Sequence, residues 1–249
     1  MFRIRIQNKK KCIWYCSAVV SFLLFLLLLG WTNHLANTQD AQQMAGRWSE
    51  KKDVAQISCF FSSKAEVTED TIQSFEYSLK NVLQEASITE TSENPSARLW
   101  VDAYSADGKI TLVNGKNTLD ANAIGIGGDF FMFHPLKLIT GSYFSGNDLM
   151  QDYCIIDQDA AWQLFGSNDV VGMTVYIGNV PHIVTGVVQR PDSRMDKAAG
   201  LNSTVVYVSY ETLSAYGTNN GINHYEIVMP NPVDEFAYSK VKEGIGIDE

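Results

Sequence analysis

The segment AWQLFGSNDVVGMTVYIGNVPHIVTGVV, Ala161–Val188, consists of regular apolar runs separated by glycines. Its first residues complete a predicted short helix, Gln158–Phe165, which is expected to end at Gly166 because glycine readily adopts the left-handed conformation after a helix. Two alternating apolar runs lie on either side of Gly178-Asn179 and predict a hairpin. The segment holds one histidine and no group of catalytic residue types. It predicts a small helix–hairpin unit rather than an active site.

Upstream of this unit, the sequence predicts a strand, a helix and a second strand. The run Val54–Ser62 is rich in strand-favouring residues. Apolar residues recur at helical spacing over Glu69–Glu85, and Thr68 is a suitable residue to cap that helix. A second alternating run covers 97–103. These three elements predict a βαβ-like unit.

The residues that follow predict a hairpin and a loop. Asp107-Gly108 lies between two alternating apolar runs, which is a strong hairpin signal. Residues 116–130 contain the sequence GIGG, Gly125–Gly128, and are expected to form a loop. The aromatic cluster Phe130–Phe133 is expected to pack mostly inside the protein.

Downstream elements alternate in the same way. Short strands are predicted at Tyr153–Asp157, Thr204–Ser209 and Tyr225–Met229, and a short helix follows the second of them. Residues 189–203 are expected to form a loop. A final helix is predicted after Asn231, which would act as its cap, with Gly244 as its stop.

The N-terminal residues differ sharply from the rest. Residues 1–11 carry five bases and no acid, and residues 12–31 form an uncharged apolar run long enough to cross a bilayer. The bases place the N-terminus in the cytoplasm by the positive-inside rule. We expect a membrane anchor, since the run is longer than the core of a typical signal peptide; a cleaved signal peptide is the alternative. Both interpretations place residues 32–249 outside the cytoplasm.

The exterior part of the chain is acidic. The 14 bases that remain after residue 11 face all 28 acids, and this charge argues against nucleic acid and anionic lipid surfaces as its partners. Only the apolar run 12–31 is expected to contact membrane lipid. Two exterior cysteines, Cys59 and Cys154, allow one disulfide; the favoured interpretation is that both are buried free thiols.

No catalytic, cofactor-binding or metal-binding residues are predicted. The four histidines are scattered along the sequence and are interpreted as structural: His34, His134, His182 and His224. Four acids are candidates for a carboxylate pair only if the fold brings them together: Asp102, Asp148, Asp157 and Asp192. The sequence contains no nucleophile elbow, P-loop, zinc or EF-hand pattern. A protein that is not an enzyme is therefore expected.

Three segments together resemble a known family. They are DFFMFHPLKLITGSYFSGND (129–148), YCIIDQDAAWQLFGSNDVVG (153–172) and MTVYIGNVPHIVTGVV (173–188). In content and order they resemble the permease subunits of MacB-type ABC transporters, over about residues 10–215, although Met173 stands where that family most often has lysine. The resemblance implies an α+β fold: one N-terminal transmembrane helix, then an extracytoplasmic domain of porter-like βαβ units with an inserted smaller mixed α/β subdomain.

The resemblance and the element order together predict the division of the chain. Residues 1–11 form a cytoplasmic basic tail, 12–31 the transmembrane helix, 32–53 a helical extension or linker, 54–120 the first porter-like part, 121–200 the inserted mixed subdomain, and 201–249 an apparently incomplete second porter-like part. The family has three more membrane helices after this domain. The chain is therefore expected to be an N-terminal fragment or a truncated permease.

The functional expectation follows from the resemblance. It implies a non-catalytic permease subunit in the cell membrane, a homodimer or heterodimer, driven by a separate cytoplasmic ABC ATPase to export or release a peptide, lipoprotein or amphiphile. One alternative is a single-pass binding or signalling ectodomain unrelated to transport. Another is an extracytoplasmic hydrolase whose site is assembled from distant residues.

Overall fold

The computed structural model of the protein describes residues 9–37, 40–49, 53–89, 98–190, 194–198 and 203–246. These residues separate into two units, one ending at Gln43 and the other beginning at Met44. The first unit contains helix α1, Lys9–Asn37, and a single 3₁₀ turn, Asp40–Gln42.

Helix α1 is apolar throughout its centre. Within it, Ile13–Leu35 is long and apolar enough to cross a membrane, judged by length and composition. The 23 residues extend about 35 Å at 1.5 Å per residue, which exceeds the roughly 30 Å of a bilayer's hydrocarbon core. The helix contains most of the span predicted at 12–31, so the expectation of one N-terminal apolar helix is confirmed.

The second unit is built of short helices around β-strands. Its described strands are β1 (Val54–Phe60), β2 (Val101–Asn114), β3 (Asn117–Gly128), β4 (Leu138–Gly141), β5 (Tyr153–Asp157), β6 (Thr174–Ile177), β7 (Val180–Val188), β8 (Val205–Ser209), β9 (Thr218–Asn219) and β10 (His224–Pro230). Its described helices are α2 (Met44–Trp48), α3 (Glu69–Glu85), α4 (Phe130–Phe133), α5 (Gln158–Phe165), α6 (Arg194–Ala198), α7 (Tyr210–Tyr216) and α8 (Phe236–Ile245).

The first layer is a split βαβ unit. Strand β10 lies between β1 and β2 and runs antiparallel to both, so β1 and β2 are parallel and α3 connects them. Thr68 caps α3 as predicted: its hydroxyl accepts from the backbone N–H of Thr71, and its own backbone N–H donates to the Thr71 hydroxyl. Helices α3 and α8 cover one face of these strands, where Phe75 meets Tyr225 edge to face. The predicted βαβ-like unit is therefore present, with β10 inserted into it.

A closed ring of six strands forms the next layer. The pairing runs from β2 to β3, β8, β5, β7 and β6, and returns to β2 where Leu112 lies opposite Ile177. Side chains of these strands, together with α5 and α7, enclose one apolar core. Closure removes exposed strand edges around that core. The α+β expectation is confirmed, whereas the boundary predicted at residue 121 falls inside β3 and remains a prediction.

The hairpin predicted at Asp107-Gly108 is wrong. Strand β2 continues through both residues, and the chain reverses at Asn114–Asn117, where Gly115 has a φ of +59°. Gly108 is required by packing, because a Cβ there would lie 2.3 Å from the carbonyl oxygen of Thr218. The glycine serves a close approach of strand β9 and not a turn.

The loop predicted at 116–130 is also wrong, because most of it is strand β3. Its glycines allow close packing: a Cβ on Gly125 would lie 2.8 Å from Leu213, and one on Gly127 would lie 2.0 Å from the ring of Tyr104. The GIGG sequence therefore lies in a strand, where two of its glycines leave room for the side chains of Leu213 and Tyr104. Residues 189–203, also predicted as a loop, contain the short helix α6.

The last helix begins and ends later than predicted. Its N-terminal residue is Phe236, and the Asn231 side chain accepts a hydrogen bond from the backbone N–H of Ala237 without being the cap residue. Gly244 lies inside the helix against Phe75, and the stop is Gly246, with a φ of +73°. Both glycines are near the helix end, but only the second adopts the left-handed conformation.

The two exterior cysteines are free thiols in separate apolar clusters. Burial raises the pKa of Cys59 to about 11 and that of Cys154 to about 12. The thiols behave as small apolar side chains, in agreement with the favoured interpretation.

Candidate functional site

A cavity of about 760 Å³ opens at one end of the strand ring. Its walls come from β2, β3 and β8, from the segment after α4, and from the residues at the ends of β5 and β7. Apolar lining residues are Ala123, Ile124, Pro135, Leu136, Val188, Val205 and Tyr207; polar ones are Asp107, Asn122, Lys137, Asp157, Gln189, Arg190 and Ser203. A cavity that combines apolar residues with polar ones in this way is suited to a small amphiphilic molecule.

An ion pair holds one wall of this cavity. Arg190 follows β7, and its Nη2 lies 2.8 Å from Oδ2 of Asp157 at the end of β5. Asp157 is buried and accepts further hydrogen bonds from the backbone N–H groups of Ala160 and Val205. The same carboxylate therefore caps α5 and ties β5 to β8.

Tyr207 of β8 is the aromatic residue of the cavity lining. Its pKa rises to about 12, first because the phenol is buried and then because Asp157 and Tyr143 lie near it. The ring also contacts Phe130 and Phe131 of helix α4. At neutral pH the phenol therefore keeps its proton and is able to donate a hydrogen bond.

A second group of polar side chains lies beside α4 and was not predicted. His224 and Glu226 are two residues apart on β10, so both point to the same face of the strand, and His134 comes directly after α4. His134 Nε2 lies 2.5 Å from Glu226 Oε2, and His224 Nε2 lies 3.8 Å from Glu226 Oε1. One potential ligand atom from each residue falls within 4.8 Å of the other two.

Side chains of β1 contact both Glu226 and His224. Ser58 of β1 lies opposite Glu226 and donates a hydrogen bond of 2.9 Å to its Oε1. Phe60, two residues further along β1, stacks on His224 with 4.5 Å between ring centroids. Glu226 is 4% exposed and its Oε2 is contacted by His134, whereas the buried Nε2 of His224 has no hydrogen-bond partner among the described residues.

The protonation states suit charge pairing or metal ligation. Burial lowers the pKa of His224, and His134 lowers it further, although Glu226 and Asp107 act in the opposite direction. Burial by itself raises the pKa of Glu226, but His134, His224 and Ser58 outweigh it and the net pKa is lowered. At neutral pH the group contains a neutral imidazole at His224 and an ionised carboxylate.

A smaller cleft of about 550 Å³ lies on the other side of the first layer, between α3 and β2. Asp102 lines it and accepts a hydrogen bond of 3.2 Å from the hydroxyl of Tyr225. The pKa of Asp102 is raised well above its usual value by burial and by the neighbouring carboxyl of Glu76. Burial and the neighbouring carboxyl therefore favour the protonated form of Asp102.

The acids singled out in the sequence are not brought together as a pair. Asp102 pairs with Glu76, Asp157 with Arg190, and Asp148 accepts from the backbone N–H of Ser145. Asp192 lies outside the described residues. Sequence reasoning missed Glu76 and Glu226, and the only local signal for the latter was the His-x-Glu spacing on one strand.

The remaining histidine of the exterior unit is part of the core. His182 is 2% exposed, and its ring nitrogens lie 3.0 Å from the Val180 carbonyl oxygen and 3.1 Å from the Thr212 hydroxyl. The cluster Phe130–Phe133 is mostly buried, with Met132 39% exposed.

Comparison with known proteins gives one family. The family model described as the MacB-like periplasmic core domain matches residues 20–246. Relatives include two proteins named macrolide export ATP-binding/permease protein MacB. The one from Chromobacterium violaceum is 32% identical over 99 residues, 39% of this chain and 15% of that protein. The one from Shewanella sp. (strain W3-18-1) is 30% identical over 161 residues, 60% of this chain and 24% of that protein.

Two solved structures are also similar. The extracellular domain of the noncanonic ABC-type transporter YknZ from Gram-positive bacteria aligns with a TM-score of 0.47 and 19% identity, over 76% of this chain and 90% of that one. The periplasmic region of MacB from Actinobacillus actinomycetemcomitans aligns with a TM-score of 0.44 and 23% identity, over 62% and 72%. The matches to the two sequence relatives span at most 24% of their lengths.

Proposed function

This chain belongs to the family of MacB-like periplasmic core domains, and from that premise we propose that it couples a separate cytoplasmic ABC ATPase to the export or release of an amphiphilic cargo. It is a membrane-anchored protein whose second unit is the extracytoplasmic domain of an ABC transporter permease. The observation that carries the proposal is the extent of the family match, which begins inside the apolar helix at residue 20 and covers nearly all of the strand-rich unit.

The domain's part in this function is mechanical and not catalytic. A closed ring of strands that shares β2 with the first layer moves as one body, because every neighbouring strand is tied by backbone hydrogen bonds. The sequence contains no G-x-x-x-x-G-K-[ST] motif, so ATP is bound by another polypeptide segment or protein. In the membrane, the basic N-terminal tail faces the cytoplasm, and two permease copies or related subunits form a dimer.

The cavity at the end of the strand ring is the proposed contact with cargo. Its apolar wall accommodates the hydrocarbon part of an amphiphile, and Tyr207, Lys137 and Gln189 face the polar part. The names of the relatives refer to macrolides; for this chain the proposal extends to the wider class of peptides, lipoproteins and drug-like amphiphiles.

Copurification tests the ATPase partnership. The full chain, extracted in mild detergent from its native membranes, should copurify with a P-loop ATPase and show ATP hydrolysis. Recovery of a kinase or an adhesin in place of an ATPase would favour the alternative, a binding or signalling ectodomain.

Filling the cavity tests the cargo site. Ile124→Trp should weaken binding of the fluorescent amphiphile N-phenyl-1-naphthylamine, because Ile124 lines the cavity. Ile139→Trp, an equal change at a 42% exposed position of β4 outside the cavity lining, is the matched control. Equal probe affinity in the two variants would contradict the assignment of the cavity.

A further inference from the structure

We propose that His134, His224 and Glu226 form a binding site for a divalent transition-metal cation of the zinc type. Two imidazole nitrogens and one carboxylate oxygen are a ligand set that Zn²⁺ uses in proteins, with a fourth position left for water. All three side chains offer such an atom within 4.8 Å of the others.

The positions of the ligand atoms are close to those that a tetrahedral ion requires. With metal–ligand distances of about 2.0–2.2 Å, ligand atoms around zinc are separated by roughly 3.3 Å. The contact of 2.5 Å between His134 Nε2 and Glu226 Oε2 must lengthen by about 0.8 Å. His224 Nε2 lies 3.8 Å from the other oxygen, Oε1, so the side chains of His224 and Glu226 must rotate until one carboxylate oxygen faces both rings.

An unpartnered buried nitrogen is the second, independent observation. The Nε2 atom of His224 is buried and has no hydrogen-bond partner among the described residues. It lies 3.8 Å from the carboxylate of Glu226, a residue that is 4% exposed and that His134 already contacts. A cation bound between the two rings and this carboxylate gives the nitrogen a partner and balances the buried negative charge.

The surrounding residues provide the support that metal ligands commonly have. Ser58 donates to the other oxygen of Glu226 and fixes the carboxylate, and Phe60 stacks on the ring of His224 and restricts its rotation. The imidazole side chains are 25% and 19% exposed, so water and ions reach the site from their edges. A bound ion would join the end of α4 to β10 and to the first layer of strands.

Cobalt substitution is the direct test. The full chain, purified in detergent without a histidine tag and freed of metal by chelator, is titrated with Co²⁺ and followed by visible absorption. We expect one equivalent to bind with the intense absorption of a tetrahedral complex, and Zn²⁺ to displace it. Absence of binding, or the weak spectrum of an octahedral ion, would overturn the proposal.

Three variants locate the ion. Glu226→Gln and His134→Gln should each lower Zn²⁺ affinity at least about 10-fold, since even outer-shell changes have effects of this size. His34→Gln removes a histidine of α1 and should leave the affinity unchanged. Unchanged affinity in both site variants would assign the binding elsewhere and refute the site.

Thermal unfolding guards against variants that bind poorly because they fold poorly. Excess Zn²⁺ should raise the Tm of the wild-type chain, because a ligand that binds only the folded state stabilises it. Glu226→Gln and His134→Gln should still unfold cooperatively but show no Zn²⁺-dependent rise. A rise equal to that of the wild type in both variants would contradict the proposal.

Discussion

Buried Asp157 and partly buried Arg190 form an ion pair at the cavity wall, with Nη2 of the arginine 2.8 Å from Oδ2 of the aspartate. The pair joins the end of β7 to the end of β5, and Asp157 extends the link to α5 and β8 through two backbone N–H groups. Three strands of the ring, β5, β7 and β8, are therefore linked through one carboxylate, which also caps α5.

Removing that carboxylate should be costly. We expect Asp157→Ala to lower the free energy of unfolding by about 2–4 kcal/mol, because it takes the acceptor from the backbone N–H groups of Ala160 and Val205 and removes one of the carboxylates that face Arg190. Asp159→Ala is the control, since Asp159 contacts the same guanidinium at 2.6 Å but its side chain is 45% exposed; it should cost less than about 1 kcal/mol. Denaturant unfolding of the full chain in detergent measures both, and equal losses would show that burial does not decide the effect.

Gly244 provides a test in which helix propensity and packing oppose each other. Alanine is better than glycine inside a helix by about 1 kcal/mol. A Cβ at this position, however, would lie 2.2 Å from Cδ2 of Phe75. We expect the clash to win and Gly244→Ala to destabilise the protein by about 1–3 kcal/mol.

A double-mutant cycle identifies the cause of that loss. Phe75→Leu removes the ring atoms that the new methyl group meets, so Gly244→Ala should cost less in the Phe75→Leu background than in the wild type. Gly46→Ala, in helix α2 with no atom within 4 Å of the added carbon, is the comparison without a clash and should stabilise the protein by up to about 1 kcal/mol. If Gly244→Ala costs the same in both backgrounds, the contact with Phe75 is not responsible.

Local signals predicted the elements whose causes are local. Thr68 caps a helix whose apolar spacing begins only a few residues later. The glycines that bound β6 and β7 are likewise close in sequence to the strands that they limit. The long β2–β3 hairpin was not predicted, because Gly108 and Gly125 are glycines owing to their close packing against Leu213, which is distant in sequence.

The same reasoning applies to the polar groups. His134 meets His224 and Glu226 because α4 packs on β2, the strand next to β10, and no spacing in the sequence records that contact. Asp102 meets Glu76 through the packing of α3. In both cases the chemistry depends on tertiary packing, so the residues looked ordinary in the sequence.

His182 should make stability depend on pH. Burial lowers its pKa below 6.5, and the nearby Val180 carbonyl and Asp152 only partly offset this effect. Because the folded-state pKa is the lower one, the unfolded chain binds the proton first as the pH falls, and stability decreases from near pH 6.5 until the folded-state pKa is reached.

Unfolding free energies at about pH 7.5 and about pH 5.5 measure this loss. His182→Gln should show a smaller loss between the two values, not none, because the pKa of His224 is lowered in the same direction. An unchanged pH dependence in this variant would mean that His182 does not titrate between the two states.

The exterior cysteines should be unreactive in the folded protein. Their raised pKa values, about 11 for Cys59 and about 12 for Cys154, leave very little thiolate to react, and both side chains are buried. In a Cys12→Ser/Cys16→Ser background, a maleimide reagent should label both thiols only after denaturation. Two free thiols after denaturation without reductant would also exclude the disulfide, whereas none would contradict the free-thiol assignment.

The orientation of α1 in the membrane is the last prediction, and it depends on charge. Five bases precede the apolar run, and bases near a span favour the cytoplasmic side. With the native cysteines replaced, a cysteine introduced by Lys64→Cys should react with an impermeant maleimide in intact cells. One introduced by Asn8→Cys should react only after lysis.

Replacing the five bases with glutamine should give a mixed orientation, while Lys51→Gln and Lys52→Gln, beyond the span, should not. Labelling of the Lys64→Cys protein only after lysis would reverse the assigned orientation.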